Sequence, residues 1–107
     1  MSTVVDRVLA ALNARDLEAL VACYKLQATI EDGEDRVLAH GHGEIRNRYG
    51  PMCDTYPALH VEPLGRWMVG SFIVQEERVT GRATESERHI AIYQLENELI
   101  VRERLLR

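Results

Sequence analysis

Asp32, Glu77, His89 and Tyr93 are the side chains of this sequence best suited to hold or move a proton. Asp32 ends the alternating run Ala28-Thr29-Ile30-Glu31-Asp32, immediately before Gly33. A carboxylate at a strand end that faces a mostly apolar space loses solvation, and its basicity rises toward what proton abstraction needs. The same aspartate in a solvated turn would only end the strand. From Phe72 to Arg82, alternation places Ile73, Gln75, Glu77 and Val79 on one face and Phe72, Val74, Glu76 and Arg78 on the other. The same parity groups His89, Ala91 and Tyr93 in the next run, and Ile100, Arg102 and Arg104 in the last. An acid, an imidazole, a phenol and a guanidinium on one face serve proton transfer or orient a carboxylate-bearing ligand. A plain Glu77–Arg102 ion pair is the alternative, and a slip of one residue would turn each of these groups outward.

His40 and His42 form an H-x-H motif flanking Gly41. A catalytic zinc usually takes three protein ligands. His60, His89 and Asp32 are the available thirds, but no HExxH or two-histidine-one-carboxylate spacing exists, so no metal is expected. Tyr24, Tyr49, Met52, Tyr56 and Trp67 supply an aromatic and thioether set that suits a core or the inner wall of a pocket. There is no GxSxG, P-loop or glycine-rich dinucleotide fingerprint, and no cofactor is expected.

The elements that must position these groups are legible in order. Thr3 and Asp6 have capping-box spacing, and Val4, Val5, Val8, Leu9 and Leu12 make one apolar helical stripe. Asp16 caps a second helix with Leu17, Leu20, Val21 and Tyr24 inward. A short strand over 28–32 and a charged, glycine-rich loop over 33–43 follow. A third helix through Ile45, Tyr49, Met52, Cys53 and Tyr56 should break or kink near Gly50, because Pro51 cannot donate a backbone hydrogen bond. Strands are predicted over 60–69, with Pro63 marking an edge or bulge, and over 72–82, 88–95 and 99–106. Three helices followed by an antiparallel meander is an α+β plan in a single domain over 1–107, with the helices on one face of a curved sheet.

The chain has 107 residues, 46% apolar and 28% charged, with a net charge of −4. That composition is globular and lacks the basic stripe of a nucleic-acid binder. No apolar run approaches membrane-span length, and the first residues lack a signal peptide's pattern, so no membrane partner and a cytoplasmic location are expected. Cys23 and Cys53 are expected as reduced, mostly buried thiols.

Val4-Val5-Asp6-Arg7-Val8-Leu9-Ala10-Ala11-Leu12-Asn13-Ala14-Arg15-Asp16-Leu17, then Ala28 to Asp32, then Gly41-His42-Gly43-Glu44-Ile45-Arg46 resemble the ketosteroid isomerases and SnoaL-like polyketide cyclases of the nuclear-transport-factor-two-like superfamily. The resemblance spans almost the whole chain. It implies a cone, in which a bent sheet wraps three helices around a deep apolar cavity, and a homodimer formed through the outer face of the sheet. It implies Asp32 as general base, and the strand parity above supplies His89, Tyr93 or Arg102 as its catalytic polar helpers. It places the Gln75–Glu77 face toward the cavity and His40 at its mouth, and by the same parity Arg102 joins that face beside Asp32. Val8 and Ala91 stand where ketosteroid isomerases carry a tyrosine and a protonated aspartate as donors, so steroid isomerisation itself is not expected. What the resemblance implies is a cofactor-independent isomerase, cyclase or dehydratase acting on a small apolar or carboxylate-bearing ligand. A non-catalytic binding or dimerisation module of the same fold is the alternative. Fold alone does not decide between them.

Overall fold

The computed structural model describes residues 3–107. Helix α1 (Val4–Asn13) starts at the expected capping box: the Asp6 amide donates to Thr3 Oγ1, and the Thr3 amide donates to the Asp6 carboxylate at 2.8 Å. Helix α2 (Leu17–Val21) is capped by Asp16, whose carboxylate accepts from the Ala19 amide. It has only five residues, so Tyr24 opens strand β1 (Tyr24–Asp32) instead of closing a helical stripe. The Ile100 amide donates to the Cys23 carbonyl and draws this segment into the sheet. Four residues of the expected loop form strand β2 (Val37–His40), paired antiparallel with β1. Helix α3 (Gly41–Thr55) runs through Pro51 without interruption. Pro51 and Asn47, the residue whose carbonyl loses its amide donor, are both exposed, and water can satisfy that carbonyl there.

Strands β3 (His60–Val69), β4 (Phe72–Thr80), β5 (Glu87–Glu96) and β6 (Leu99–Leu106) form the meander. Asn97 and Glu98 both take positive φ, the signature of a tight two-residue hairpin between β5 and β6. The six strands lie in the order β2-β1-β6-β5-β4-β3, antiparallel throughout except for the parallel β1–β6 pair. This is an α+β fold with a curved, mostly antiparallel sheet behind helices drawn from the first half of the chain.

Two bulges set which residues face inward. In β3 the register slips between Pro63 and Gly65. Val61 faces the core, but beyond the slip Arg66 and Met68 take the inward parity and Trp67 pairs with the outward Val74. In β6 the register slips opposite Gln94 and Leu95. Ile100 is buried before the slip, while Glu103 and Leu105 are buried after it. An extra residue on one strand of a pair rotates all later side chains to the other face.

The core joins α1, α2 and α3 to the sheet through Val5, Leu20, Ile30, Ile45, Ile73 and Ile100, each at most 1% exposed. Full burial of such a side chain contributes roughly 1.5–3 kcal/mol. Asn13 fastens the end of α1 to edge strand β3 as a strand neighbour would. Its amide donates to the Val61 carbonyl and its oxygen accepts from the Val61 amide, both at 2.8 Å. Asn13→Ala strands both groups of a buried residue. It should lower stability by about 2–3 kcal/mol, read as a fall in the urea midpoint with unchanged slope.

Candidate functional site

Between α1, α3 and the concave face of the sheet lies a small cavity of about 50 Å³. That is room for a few waters or a small organic group, well short of the roughly 300–1,000 Å³ of clefts that hold drug-sized ligands. Its polar wall comes from β4, β5 and β6. Alternation in β4 and β5 brings Gln75, Glu77, His89 and Tyr93 to one place. Glu77 Oε1 is 2.8 Å from His89 Nε2, and its Oε2 accepts from the Tyr93 hydroxyl at 2.6 Å and the Gln75 amide at 2.7 Å. Gln75 is held in turn. Its oxygen accepts from Arg66 Nε at 2.7 Å, and Arg66 Nη2 donates to Asp6 at the same distance. Hydrogen bonds from Arg66 and Thr3 hold the Asp6 carboxyl down at about 2 despite partial burial.

A second carboxylate, Glu103, stands in the same cavity. It is 2% exposed, accepts from the Tyr24 hydroxyl at 2.6 Å, and lies 3.4 Å from the Tyr49 hydroxyl. Burial raises its pKa to about 7, and the Glu77 charge adds to the rise against the opposing pull of the Tyr24 bond. Burial and the neighbouring carboxylates push the Tyr24 and Tyr93 hydroxyls well above the usual phenol range, so both remain donors at neutral pH. A carboxyl raised this far is both a stronger base and a more readily formed acid than an exposed one. The apolar wall includes Val8, Leu12, Met52, Val61 and Leu105.

Of the residues proposed from sequence, Tyr24, Tyr49, Met52, Glu77, His89 and Tyr93 line the cavity, with Gln75 directly behind Glu77. Five do not reach it. Asp32 turns into its own loop, where it accepts from the amides of Glu34 and Arg36 at 2.9 and 3.0 Å and pairs with the Arg36 guanidinium. Those amide bonds hold its carboxyl below the usual range, opposite to the direction expected for a desolvated base. His40 precedes α3, bonded to the Thr29 hydroxyl and, through its amide, to Glu44. Tyr56 ends α3 and packs against the core away from the cavity. Trp67 is 59% exposed on the outer face because of the β3 bulge. Arg102 is turned outward by the β6 bulge, where it binds Glu31.

Glu103 is the residue that sequence parity missed. Ile100 and Leu105 are both apolar yet stand on opposite parities, which requires a bulge between them, and counting back from Leu105 selects Glu103. Arg48, Arg82 and Arg107 also reach the cavity wall and carry no pattern in the sequence. His42 contacts the Tyr24 carbonyl, and no cluster of three metal-binding side chains occurs among the described residues. Nor is any described helix long and apolar enough to cross a membrane.

A cone-shaped sheet over helices, with a polar end to an apolar cavity, defines the class, and the comparisons define the family. The chain belongs to the SnoaL-like domain family, whose profile matches residues 5–103. A cystatin-fold protein from Novosphingobium aromaticivorans superposes with a TM-score of 0.90 at 22% identity, covering 97% of this chain and 95% of the other. A candidate polyketide cyclase from Sinorhizobium meliloti gives 0.85 at 19% identity over 98% and 94%. A ketosteroid isomerase-like fold from Catenulispora acidiphila, solved with trimethylamine, gives 0.79 at 16% identity over 97% and 85%. These likenesses concern the fold. No curated protein matches.

The titration of Glu103 has a stability consequence. Its folded pKa, about 7, lies above the ordinary 4.5, so the fold favours the protonated form. The associated stability is fully present below about pH 4.5 and is lost as pH rises through about 7. Glu103→Gln mimics the protonated acid. It should match wild type near pH 4 and exceed it by on the order of 3 kcal/mol at pH 8, measured by denaturant titration at both pH values.

Proposed function

We propose that the protein is a cofactor-independent enzyme that moves a proton within a small organic molecule, in the isomerase, cyclase or dehydratase manner, with Glu103 as the group that takes and returns it. The observation behind this reading is a fully buried carboxyl, titrating near neutrality, in the wall of a cavity that also holds the Glu77–His89–Tyr93 cluster. Two carboxylates whose surroundings separate their roles are a recurring acid–base arrangement. Here Glu77 accepts from three donors and orients His89, which leaves Glu103 as the exchanging group. The Tyr49 hydroxyl, at 3.4 Å from Glu103, has the least to lose by turning to an oxygen that gains negative charge on the substrate. Val8 and Ala91, both buried and unable to donate, argue against steroid isomerisation, as does the size of the cavity. Trimethylamine in the Catenulispora relative is itself a very small molecule.

Solvent deuterium uptake into acetoacetate, 2-oxobutyrate and cyclohexenone, followed by proton NMR, tests this reading. Wild type should catalyse exchange in at least one of them, with a pH midpoint near 7. Glu103→Gln should lose about 100-fold or more. Asp32→Asn, whose side chain stays in its loop, should remain within about twofold. Exchange that survives Glu103→Gln and disappears in Asp32→Asn would return the role of base to Asp32.

A homodimer through the outer face of the sheet is part of the same proposal. Trp67, Val74 and Ile92 form one cross-strand row there, and Val69 and Phe72 another. Trp67, Val69 and Phe72 are at least 42% exposed, an apolar face that a lone chain would leave in water. Light scattering should give twice the chain mass for wild type, and Phe72→Glu should shift it toward one.

A further inference from the structure

Three guanidinium groups, from Arg48, Arg82 and Arg107, share the cavity wall. Arg82 is already engaged, donating to both oxygens of Glu87 at 2.9 and 3.1 Å. Arg48 and Arg107 form no ion pair among the described residues. Arg48 stacks near the Tyr49 ring, 5.8 Å from its centroid, and its buried Nε has no hydrogen-bond partner. Partial desolvation first, then the charges of Arg82 and Arg48, lower the basicity of Arg107, and the nearby Glu87 charge offsets only part of that. Two guanidinium groups without an ion pair at one stretch of the wall favour an anion placed between them.

The placement gives that anion an orientation. Arg48, Leu105 and Arg107 form a wall common to the cavity and to a wider outer hollow of about 530 Å³ that reaches Asp32 and Glu34. A head group held between Arg48 and Arg107 would sit at the opening, with its body in the cavity beside Glu103 and Tyr49. Guanidinium matches the planar carboxylate with paired N–H···O bonds. Phosphate would bring a second negative charge close to Glu77, Glu103, Asp32 and Glu34, and a monocarboxylate brings only one.

We infer that Arg48 and Arg107 anchor the carboxylate of a small monocarboxylic acid and hold its carbon skeleton in the cavity beside Glu103. The use made of that skeleton rests on the proton-transfer reading; the anion site does not. It also reassigns the carboxylate-binding role that sequence parity gave to Arg102, which lies on the outer face.

Calorimetric titration of the intact protein at low ionic strength with sodium crotonate, crotonamide and inorganic phosphate tests the anchor. Crotonate should bind at least about tenfold more tightly than crotonamide or phosphate. Arg48→Met and Arg107→Met should each lose about tenfold or more of the crotonate affinity, and Glu103→Gln, which removes a negative charge beside the site, should bind crotonate no more weakly than wild type. Without ligand, Arg107→Met should melt no lower than wild type, since it relieves crowding among cations; a lower midpoint would mark the guanidinium as structural and overturn the assignment. Equal affinity for acid and amide, tighter binding of phosphate, crotonate binding unaffected by both arginine changes, or no crotonate binding at all would each overturn it too. Loss of the anchor with Glu103-dependent exchange intact removes only the anchor. Normal crotonate binding with exchange indifferent to Glu103→Gln removes only the proton-transfer reading.

Discussion

The arrangement of this molecule turns on the burial of two carboxylates, Glu77 and Glu103, inside a largely apolar cone. An isolated buried carboxylate costs several kcal/mol, so each must be supplied with donors by whatever surrounds it. Glu77 takes donors from its own strand and the next, Gln75, His89 and Tyr93. Glu103 takes the Tyr24 hydroxyl from the start of β1, and the Tyr49 hydroxyl of α3 stands near its other oxygen. The supply extends outward through Gln75 and Arg66 to Asp6, which also caps α1. Helix start, edge strand and cavity are therefore one hydrogen-bonded system. It ties the position of α1 to the orientation of the cavity's acid.

The same system explains how this cavity differs from what the family resemblance suggested. Where ketosteroid isomerases are expected to carry donors, this chain has Val8 and Ala91, both of which pack in the core. Polarity is concentrated instead on Glu77, Glu103 and their tyrosines, and the volume left is small. Larger substrates would require the walls to part. Arg48, Arg82 and Arg107 add cationic groups to the wall that carries the two carboxylates.

Much of the fold was legible because it rests on local physics. The Thr3–Asp6 cap, the Asp16 cap, the β3 edge marked by Pro63 and the β5–β6 turn all follow from side chains a few residues apart. The grouping of Glu77 with His89 and Tyr93 was legible too, since β4 and β5 pair without a register slip. The errors trace to places where that regularity ends. Trp67, read as a wall residue from its aromatic type, and Arg102, read inward from unbroken alternation, each lie beyond a bulge. Asp32 was assigned to the cavity by resemblance, but the amides of Glu34 and Arg36 were nearer partners. β2 was missed because four residues between charged and glycine-rich neighbours offer too short a period to read.

By itself, the sequence determined the α+β class, the order of nearly all elements, the family, and the face shared by Gln75, Glu77, His89 and Tyr93. Those features depend on periodicity and capping, which act over a few residues. Only the tertiary structure decided that Glu103 shares the cavity with Glu77, that Asp32 does not, and that Arg48 and Arg107 both line its wall. These depend on where two bulges shift the register and on how elements distant in the chain converge. A burial-driven pKa depends on the whole enclosure, which no local stretch of sequence specifies.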